Sequence, residues 1–246
     1  MAEGTFRVEV AREEDLPVMM AICNAAFASM ESERALGNLD TPEGRKASVQ
    51  RRIHAWREHT KVSAQPCAIK CLHTDPTGKE TIVASAEWFI YDKPRSEEQY
   101  RQEHYLLSAA WVSGPQQEEA RERLKPVVDA RMRWMGGRAH AVLMYMCVDP
   151  SWRRRGVSTM CMHWGLERCE KLSVPAYLEA TDEGKQVYSR LGFVEVEQVP
   201  LRSDGEEILM PVMVWWPPGT SEEAKKPALY VGHQLERLRD ESSVPE

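Results

Sequence analysis

The stretch Val148-Asp149-Pro150-Ser151-Trp152-Arg153-Arg154-Arg155-Gly156-Val157-Ser158 decides how the rest of the chain is read. Before it lies a continuous apolar run, Ala141 to Val148, whose composition suits a strand buried on both faces. Asp149-Pro150 ends that strand. After Gly156, the residues Val157, Met160, Cys161 and Trp164 recur at helical spacing, so a helix runs from Gly156 to Leu172. A buried strand, a basic turn and a helix N-terminus therefore meet at one place. The first-turn backbone N–H groups of a helix have no partner within it, and its dipole is positive there. That combination binds pyrophosphate. Gly156 allows close backbone approach, and Arg153, Arg154 and Arg155 add charge-assisted contacts to phosphate. On these residues alone, a solvated basic turn before an ordinary amphipathic helix is the alternative. No GxxxxGK[ST] or GxGxxG loop occurs. Gly156-Val157-Ser158 also lacks the second glycine of a nucleophile elbow.

Outward from this stretch the chain alternates elements. Thr5–Val10 reads as a strand, with Phe6, Val8 and Val10 alternating. Leu16, Met19, Met20, Ile22, Cys23 and Phe27 recur as a helix behind Asp15. Ser29 to Asp40 is polar and reads as a loop or broken helix. Thr41-Pro42 starts a second helix, with Val49, Ile53 and Trp56 on one face. Cys67–His73 and Thr81–Tyr91 flank the turn Asp75-Pro76-Thr77-Gly78 as a hairpin. Ser96 to Met135 has helical composition, interrupted at Ser113-Gly114-Pro115. Downstream, Ala176–Ala180 is a short strand and Glu183–Leu191 a short helix closed by Gly192. Phe193–Val199 and Ile208–Trp216 are strands around a polar loop with Asp204-Gly205. The order implies a mixed α/β (α+β) fold, with a mostly antiparallel sheet and one βαβ unit near the end.

Composition narrows the function. The 246 residues are 42% hydrophobic and 28% charged, ordinary for a globular protein, and the net charge is −6. An acidic balance is no footprint for nucleic acid. The longest apolar run falls far short of the ~20 residues of a membrane helix. Met1 to Phe6 lacks the basic and apolar regions of a secretory signal, so a cytoplasmic protein with no membrane association is expected. Six cysteines, Cys23, Cys67, Cys71, Cys147, Cys161 and Cys169, form no CxxC pair and no zinc-site spacing with histidine. Reduced thiols and no metal are expected. Cys147 has no neighbouring His or Lys to activate it as a nucleophile.

Arg153-x-x-Gly156-x-Ser158 resembles the Q/R-x-x-G-x-G/A signature of the GNAT superfamily of N-acetyltransferases. Other segments agree in order: Asp15 with Ala26-Phe27 in the first helix, Val148-Asp149-Pro150, and Tyr188-Ser189-Arg190-Leu191-Gly192-Phe193, which is similar to the family's Y-x-x-x-G-F. Pro175 to Thr181 also resembles a branch of the superfamily common in filamentous fungi. The resemblance covers roughly residues 5–216. It implies a GNAT domain over 1–217 with a helical insertion at 96–135, followed by a charged tail at 218–246. Ser158 stands where the signature has Gly or Ala, and Thr181 where many members have an Asn that contacts pantetheine.

The resemblance also implies roles. Met146, Cys147 and Val148 lie where the buried strand splays from its neighbour, and their backbone groups pair with pantetheine like an added strand. A backbone N–H near Met146 or Cys147 polarises the thioester carbonyl. Arg153, Arg154, Arg155, Gly156, Val157, Ser158 and Thr159 hold the pyrophosphate of acetyl-CoA, and Thr181 lies on the pantetheine path. Tyr188 is the candidate acid for the departing thiolate; a tyrosine packed on the core is the alternative. Glu179 is the candidate base, with a structural carboxylate as the alternative and His140 as another base. Trp88, Phe89, Tyr91 and Trp111 either shape an acceptor pocket or pack the sheet. The implied function is acetyl transfer from acetyl-CoA to the amine of a small molecule by direct attack in a ternary complex. A protein N-terminal or lysine acetyltransferase, or a CoA-binding or partner-binding module without turnover, are the alternatives. The charged tail carries Leu229, Tyr230, Val231, Leu235 and Leu238, which could dock as one short segment.

Overall fold

The computed structural model describes residues 4–27, 41–103, 115–203 and 206–228. Trp111, the 29–40 loop, Asp204-Gly205 and the apolar residues from Leu229 onward lie outside the described residues. In chain order the elements are β1 (Thr5–Val10), α1 (Leu16–Ala26), α2 (Pro42–Val62), β2 (Ala68–Thr74), β3 (Glu80–Tyr91), α3 (Glu97–Glu103) and α4 (Pro115–Trp134). Then follow β4 (His140–Val148), α5 (Val157–Leu172), β5 (Ala176–Glu179), α6 (Asp182–Arg190), β6 (Val194–Ser203) and β7 (Glu206–Trp215).

The seven strands form one sheet in the order β1-β2-β3-β4-β5-β7-β6. Every neighbouring pair is antiparallel except β4 and β5. α5 is the crossover between those two parallel strands. Its Cys161, Met162, Leu166 and Cys169 pack with Val83, Trp88, Leu143 and Leu178 on one face of the sheet. Gly165 makes this approach possible: a Cβ there would lie 2.3 Å from Trp88 Cε2. α1, α2 and α4 cover the other face, where Leu16, Met19, Trp56 and Ala130 meet Phe89, Val142 and Tyr177. Trp88, Phe89 and Tyr91 are therefore buried packing residues.

Two features of the structure matter for function. β4 is buried on both faces as expected, yet one of its edges is largely unpaired. It pairs with β5 only through Ala141↔Ala176 and Val142↔Tyr177. β4 also carries a bulge: Glu87 faces Tyr145 and Trp88 faces Leu143, leaving Met144 extra. Residues 224–228, at the start of the 218–246 segment, touch the domain. Arg138 donates to the carbonyls of Ala224 and Lys226 at 2.9 Å, and the Ala228 N–H reaches Trp134 O at 3.3 Å. All six cysteines are free and buried. No helix among the described residues is long and apolar enough to cross a membrane.

Candidate active site

From Leu143 to Val148, β4 has β3 on one side and no strand on the other, an open edge of roughly 20 Å at ~3.3 Å per residue. The ladder determines which groups face the opening. Asp149 N–H donates to Val83 O at 2.9 Å, which makes Ala84 and Val148 a pair that exchanges no hydrogen bonds. Val148, and Met146 two residues earlier, thus turn their own N–H and C=O away from β3 and into the gap. Cys147 lies between them and turns its backbone to Ser85 on β3. Its thiol is raised well above the ordinary cysteine range by burial, and further by Cys23, which makes it inert.

At the end of this edge the chain turns. The Asp149 carboxylate accepts from Ser151 N–H at 2.8 Å and fixes a short 3-10 turn, Pro150–Trp152. Arg154 then adopts φ 63° and Gly156 φ 77°, both left-handed. For arginine that conformation costs on the order of 1 kcal/mol. Thr41 caps α2 and Thr181 caps α6, each accepting a backbone N–H at 3.1 Å. α5 by contrast has no side-chain cap. The N–H groups of Val157, Ser158 and Thr159 form its first turn, where no intrahelical acceptor exists. A Cβ at Gly156 would meet nothing within 4 Å, so the space before the turn is open. The arginines differ: Arg153 reaches Ala26 O at 3.3 Å, Arg155 lies 4.9 Å over the Trp152 ring, and Arg154 has an exposed side chain with no ion pair among the described residues.

The Tyr188-to-Phe193 signature is a helix cap. Phe193 N–H bonds Tyr188 O at 3.1 Å and Gly192 N–H bonds Ser189 O at 3.1 Å, with Gly192 at φ 89°. These are the two hydrogen bonds of a Schellman motif. The Tyr188 and Phe193 rings, 5.8 Å apart, supply its apolar contact. Gly184 leaves room for the Tyr188 ring, since a Cβ there would lie 2.8 Å from Cε2. Tyr188, Met146 and Val148 pack on the same core cluster. Burial, assisted by Cys147, raises the Tyr188 hydroxyl to about 12. It holds its proton at neutral pH. Thr181 is committed to Gly184 as an N-cap.

Glu179 lies on the opposite face. Arg131 of α4 engages both its oxygens, through Nη2 at 2.9 and 3.1 Å and Nε at 3.3 Å. Arg131 Nη1 also lies 3.5 Å from the Met144 sulfur, so this guanidinium bridges the gap between β5 and the β4 bulge. His140 sits at the far start of β4, with Nδ1 2.7 Å from Arg138 O. Composition did not reveal a second buried pair on this face. Glu87 is fully buried and is held by Arg52 and by Trp56 Nε1–H at 2.5 Å. Arg52 lies 4.7 Å over the Tyr145 ring, and the Tyr145 hydroxyl is buried with no partner among the described residues. Burial raises the Glu87 carboxyl, which Arg52 and Trp56 oppose. A lone carboxylate inside the apolar run Ile82–Tyr91 was the available signal for Glu87; nothing local marked Arg131.

Residues 134–209 match the family described as the acetyltransferase (GNAT) domain. The "Probable acyltransferase SID5" of Ajellomyces capsulatus is 32% identical over 91 residues, 37% of this chain and 61% of that protein. The chain thus matches about three-fifths of the length of this curated relative. Among solved structures, the Drosophila melanogaster polyamine N-acetyltransferase, an enzyme that forms N-acetylagmatine, superposes with a TM-score of 0.57 at 12% identity, over 86% of this chain and 100% of that one. The structure of "yncA, a putative acetyltransferase from Salmonella typhimurium with its cofactor Acetyl-CoA" superposes at 0.53 and 10% identity, over 88% and 96%. At these identities the structures share the fold. Family match, sheet topology and the order of the signatures agree: residues 134–209 carry a match to the acetyltransferase (GNAT) domain, and the chain has the fold of the GNAT acetyltransferases.

Proposed function

We propose that this protein transfers acetyl from acetyl-CoA to the amine of a small molecule, by direct attack across the β4/β5 gap. The observation that carries this is the placement of groups on the two faces of one opening. Tyr188 and the uncapped turn of α5 stand on one face, and Glu179 with Arg131 stands on the other. Donor and acceptor can then approach from opposite sides and meet in the gap.

In this reading the donor's pantetheine lies along Met146 and Val148, whose outward N–H and C=O groups extend the sheet to it. Its pyrophosphate rests on Arg154 to Thr159. A gap-facing N–H of β4, that of Met146, polarises the thioester carbonyl. The amine nitrogen attacks the carbonyl carbon, the C–S bond breaks, and the sulfur takes the Tyr188 proton. Tyr188, raised to about 12, is a weaker acid than an ordinary thiol, so it acts first by hydrogen-bonding the charge that develops on sulfur, and its proton is replaced from solvent once the thiol has formed. The amine proton leaves on the other face through water held at the Glu179–Arg131 pair. Because Arg131 engages both carboxylate oxygens, Glu179 orients that water and the amine rather than standing as a free base.

The small-molecule acceptor rests on α4. This helix of the insertion lays Arg131 across the gap and packs Ala130 onto the sheet, closing the face where a peptide would need an open groove. The relative that forms N-acetylagmatine points to the same class. Thiol release from acetyl-CoA with a panel of polyamines, arylalkylamines and amino-acid amines is the test. Turnover of at least one small amine is expected. Acetylation confined to peptide N-termini or lysines would replace this reading with the protein-acceptor one.

A further inference from the structure

β5 ends at Glu179, but β7 beside it runs on. Glu179 stands opposite Val212, and six residues of β7, Glu206 to Pro211, lie beyond that point. Apart from the hydrogen bond from Ala180 N–H to Pro211 O at 2.8 Å, their ladder partner is β6. Half of the β6–β7 hairpin therefore projects past the end of β5, across the opening from β4. Pairing is regular from Glu197↔Val212 to Ser203↔Glu206, so alternate residues share a face. Val199 and Val212 identify it as the face that α4 covers, since both are buried in one cluster with Ala130 and Tyr177. Outward from them the same face carries Met210, Leu201 and Ile208. Met210 and Leu201 are half-buried, and Ile208 is 42% exposed. Leu209 turns to the opposite face and takes no part. The result is an apolar stripe about 13 Å long, four residues at ~3.3 Å each, that starts at the residue opposite Glu179. Apolar residues contiguous on a surface, rather than scattered singly, mark a binding surface. Glu179 and Glu197, the carboxylates of β5 and β6 on this face, are already held by Arg131 and Arg133 of α4. Neither is free to take a second cation.

We propose that this stripe holds the body of the acceptor, and that the substrate is therefore a primary amine with an uncharged alkyl or arylalkyl body rather than a di- or polyamine. The inference rests on the small-amine reading above and narrows it. Continuity with the site selects this occupant over a second protein chain: the stripe begins beside the Glu179–Arg131 pair and leads away from it along the hairpin. An amine seated at Glu179 lays its body on Met210, Leu201 and Ile208. A second ammonium on that body would lose water against apolar side chains, with no unmatched carboxylate among the described residues of β5 and β6 to meet it.

Steady-state kinetics of the full chain with acetyl-CoA and the n-alkylamines from propyl to octyl tests it. Full burial of one methylene is worth about fourfold in binding. On a stripe open at its outer end, kcat/KM should rise about two- to threefold per methylene. 1,4-Diaminobutane, whose second ammonium falls on the stripe, should be at least about tenfold poorer than butylamine. Ile208→Asp and Met210→Ser should each flatten the dependence on chain length, an effect that a merely structural role would not produce. Both positions lie outside the buried core, and the melting temperature confirms that each variant is folded. Three outcomes overturn the inference while leaving the small-amine reading intact. The first is a flat series in the wild-type protein. The second is 1,4-diaminobutane turned over as well as butylamine. The third is a wild-type dimer in sedimentation equilibrium that Ile208→Asp dissociates without changing the series, which would give the stripe to a second copy of the chain. Absence of turnover with every small amine would overturn the small-amine reading as well.

Discussion

Replacing Arg131 by Met should destabilise the protein by about 3 kcal/mol, and replacing Glu179 as well should restore most of that loss. Both side chains are nearly buried, at 12% and 11% exposure, and three contacts of 2.9 to 3.3 Å join them. Removing one member of such a pair typically costs ~3–5 kcal/mol, because the remaining charge stays desolvated and unmatched. The lower end applies here, since the pair borders an opening that water can reach. Methionine keeps a long unbranched apolar stem at position 131, so the loss reports mainly charge rather than packing. The double variant Arg131→Met/Glu179→Leu removes both charges and should return to within ~1 kcal/mol of wild type. Urea unfolding of the four proteins at pH 7 gives the coupling energy, expected at about 2 kcal/mol or more. Small, additive losses below ~1 kcal/mol for the two single variants would refute the argument that the pair is held as a unit. The double variant also separates structure from chemistry: being stable, it should still bind acetyl-CoA while losing turnover of the small amine.

Tyr188→Phe keeps the ring on Phe193 and removes the proton, so kcat should fall by ~10²–10⁴ with acetyl-CoA affinity within about twofold; a kcat within threefold of wild type would assign Tyr188 to packing. Because Tyr188 titrates near 12, its loss of a proton should produce no fall in wild-type kcat between pH 7 and 10. His59 is buried between Phe89 and Tyr91, with neither ring nitrogen partnered among the described residues, and burial lowers it to about 4 from 6.5. The unfolded chain therefore binds more protons between pH 6.5 and 4, and stability is lost as pH falls through that window, by about 3 kcal/mol from this group. His59→Leu should flatten the pH dependence of unfolding there, and an unchanged slope would show that His59 is not the group responsible.

The parts of the fold legible in the sequence are those fixed by short-range patterns. Thr41-Pro42 started α2 where the cap chemistry placed it, and Gly192 closed α6 because a left-handed residue is needed one position past its end. The strand–turn–helix at Val148 to Val157 also follows from neighbours in sequence. The half-open edge of β4 was implied only by the family resemblance and not by the pattern of the residues themselves. The apolar run Ala141–Val148 reads the same whether its edge is paired or empty, since side-chain hydrophobicity reports faces and not edges. The bulge at Met144 is a one-residue slip against β3, and no local residue type encodes it. Glu179 was legible as a carboxylate at a strand end. Its partner, 48 residues earlier in the insertion, was not, because an ion pair between distant segments has no spacing rule. Arg52, Glu87 and Tyr145 escaped for the same reason.

The central claim is that acetyl-CoA lies on the α5 turn, and titration calorimetry on Gly156→Asp tests it most directly. Gly156 sits at φ 77° with open space where a Cβ would go, so the substitution should cost about 1–2 kcal/mol of backbone strain without a clash. The new carboxylate would stand in the space assigned to the pyrophosphate, repelling it by charge and by volume. Gly156→Ala carries the same strain without the charge and serves as the control. Wild-type protein should bind acetyl-CoA and gain ~2.7 kcal/mol of stability at a hundredfold excess over Kd, whereas the folded Asp variant should show neither heat of binding nor stabilisation. A folded Gly156→Asp protein that binds acetyl-CoA with wild-type affinity would contradict the account.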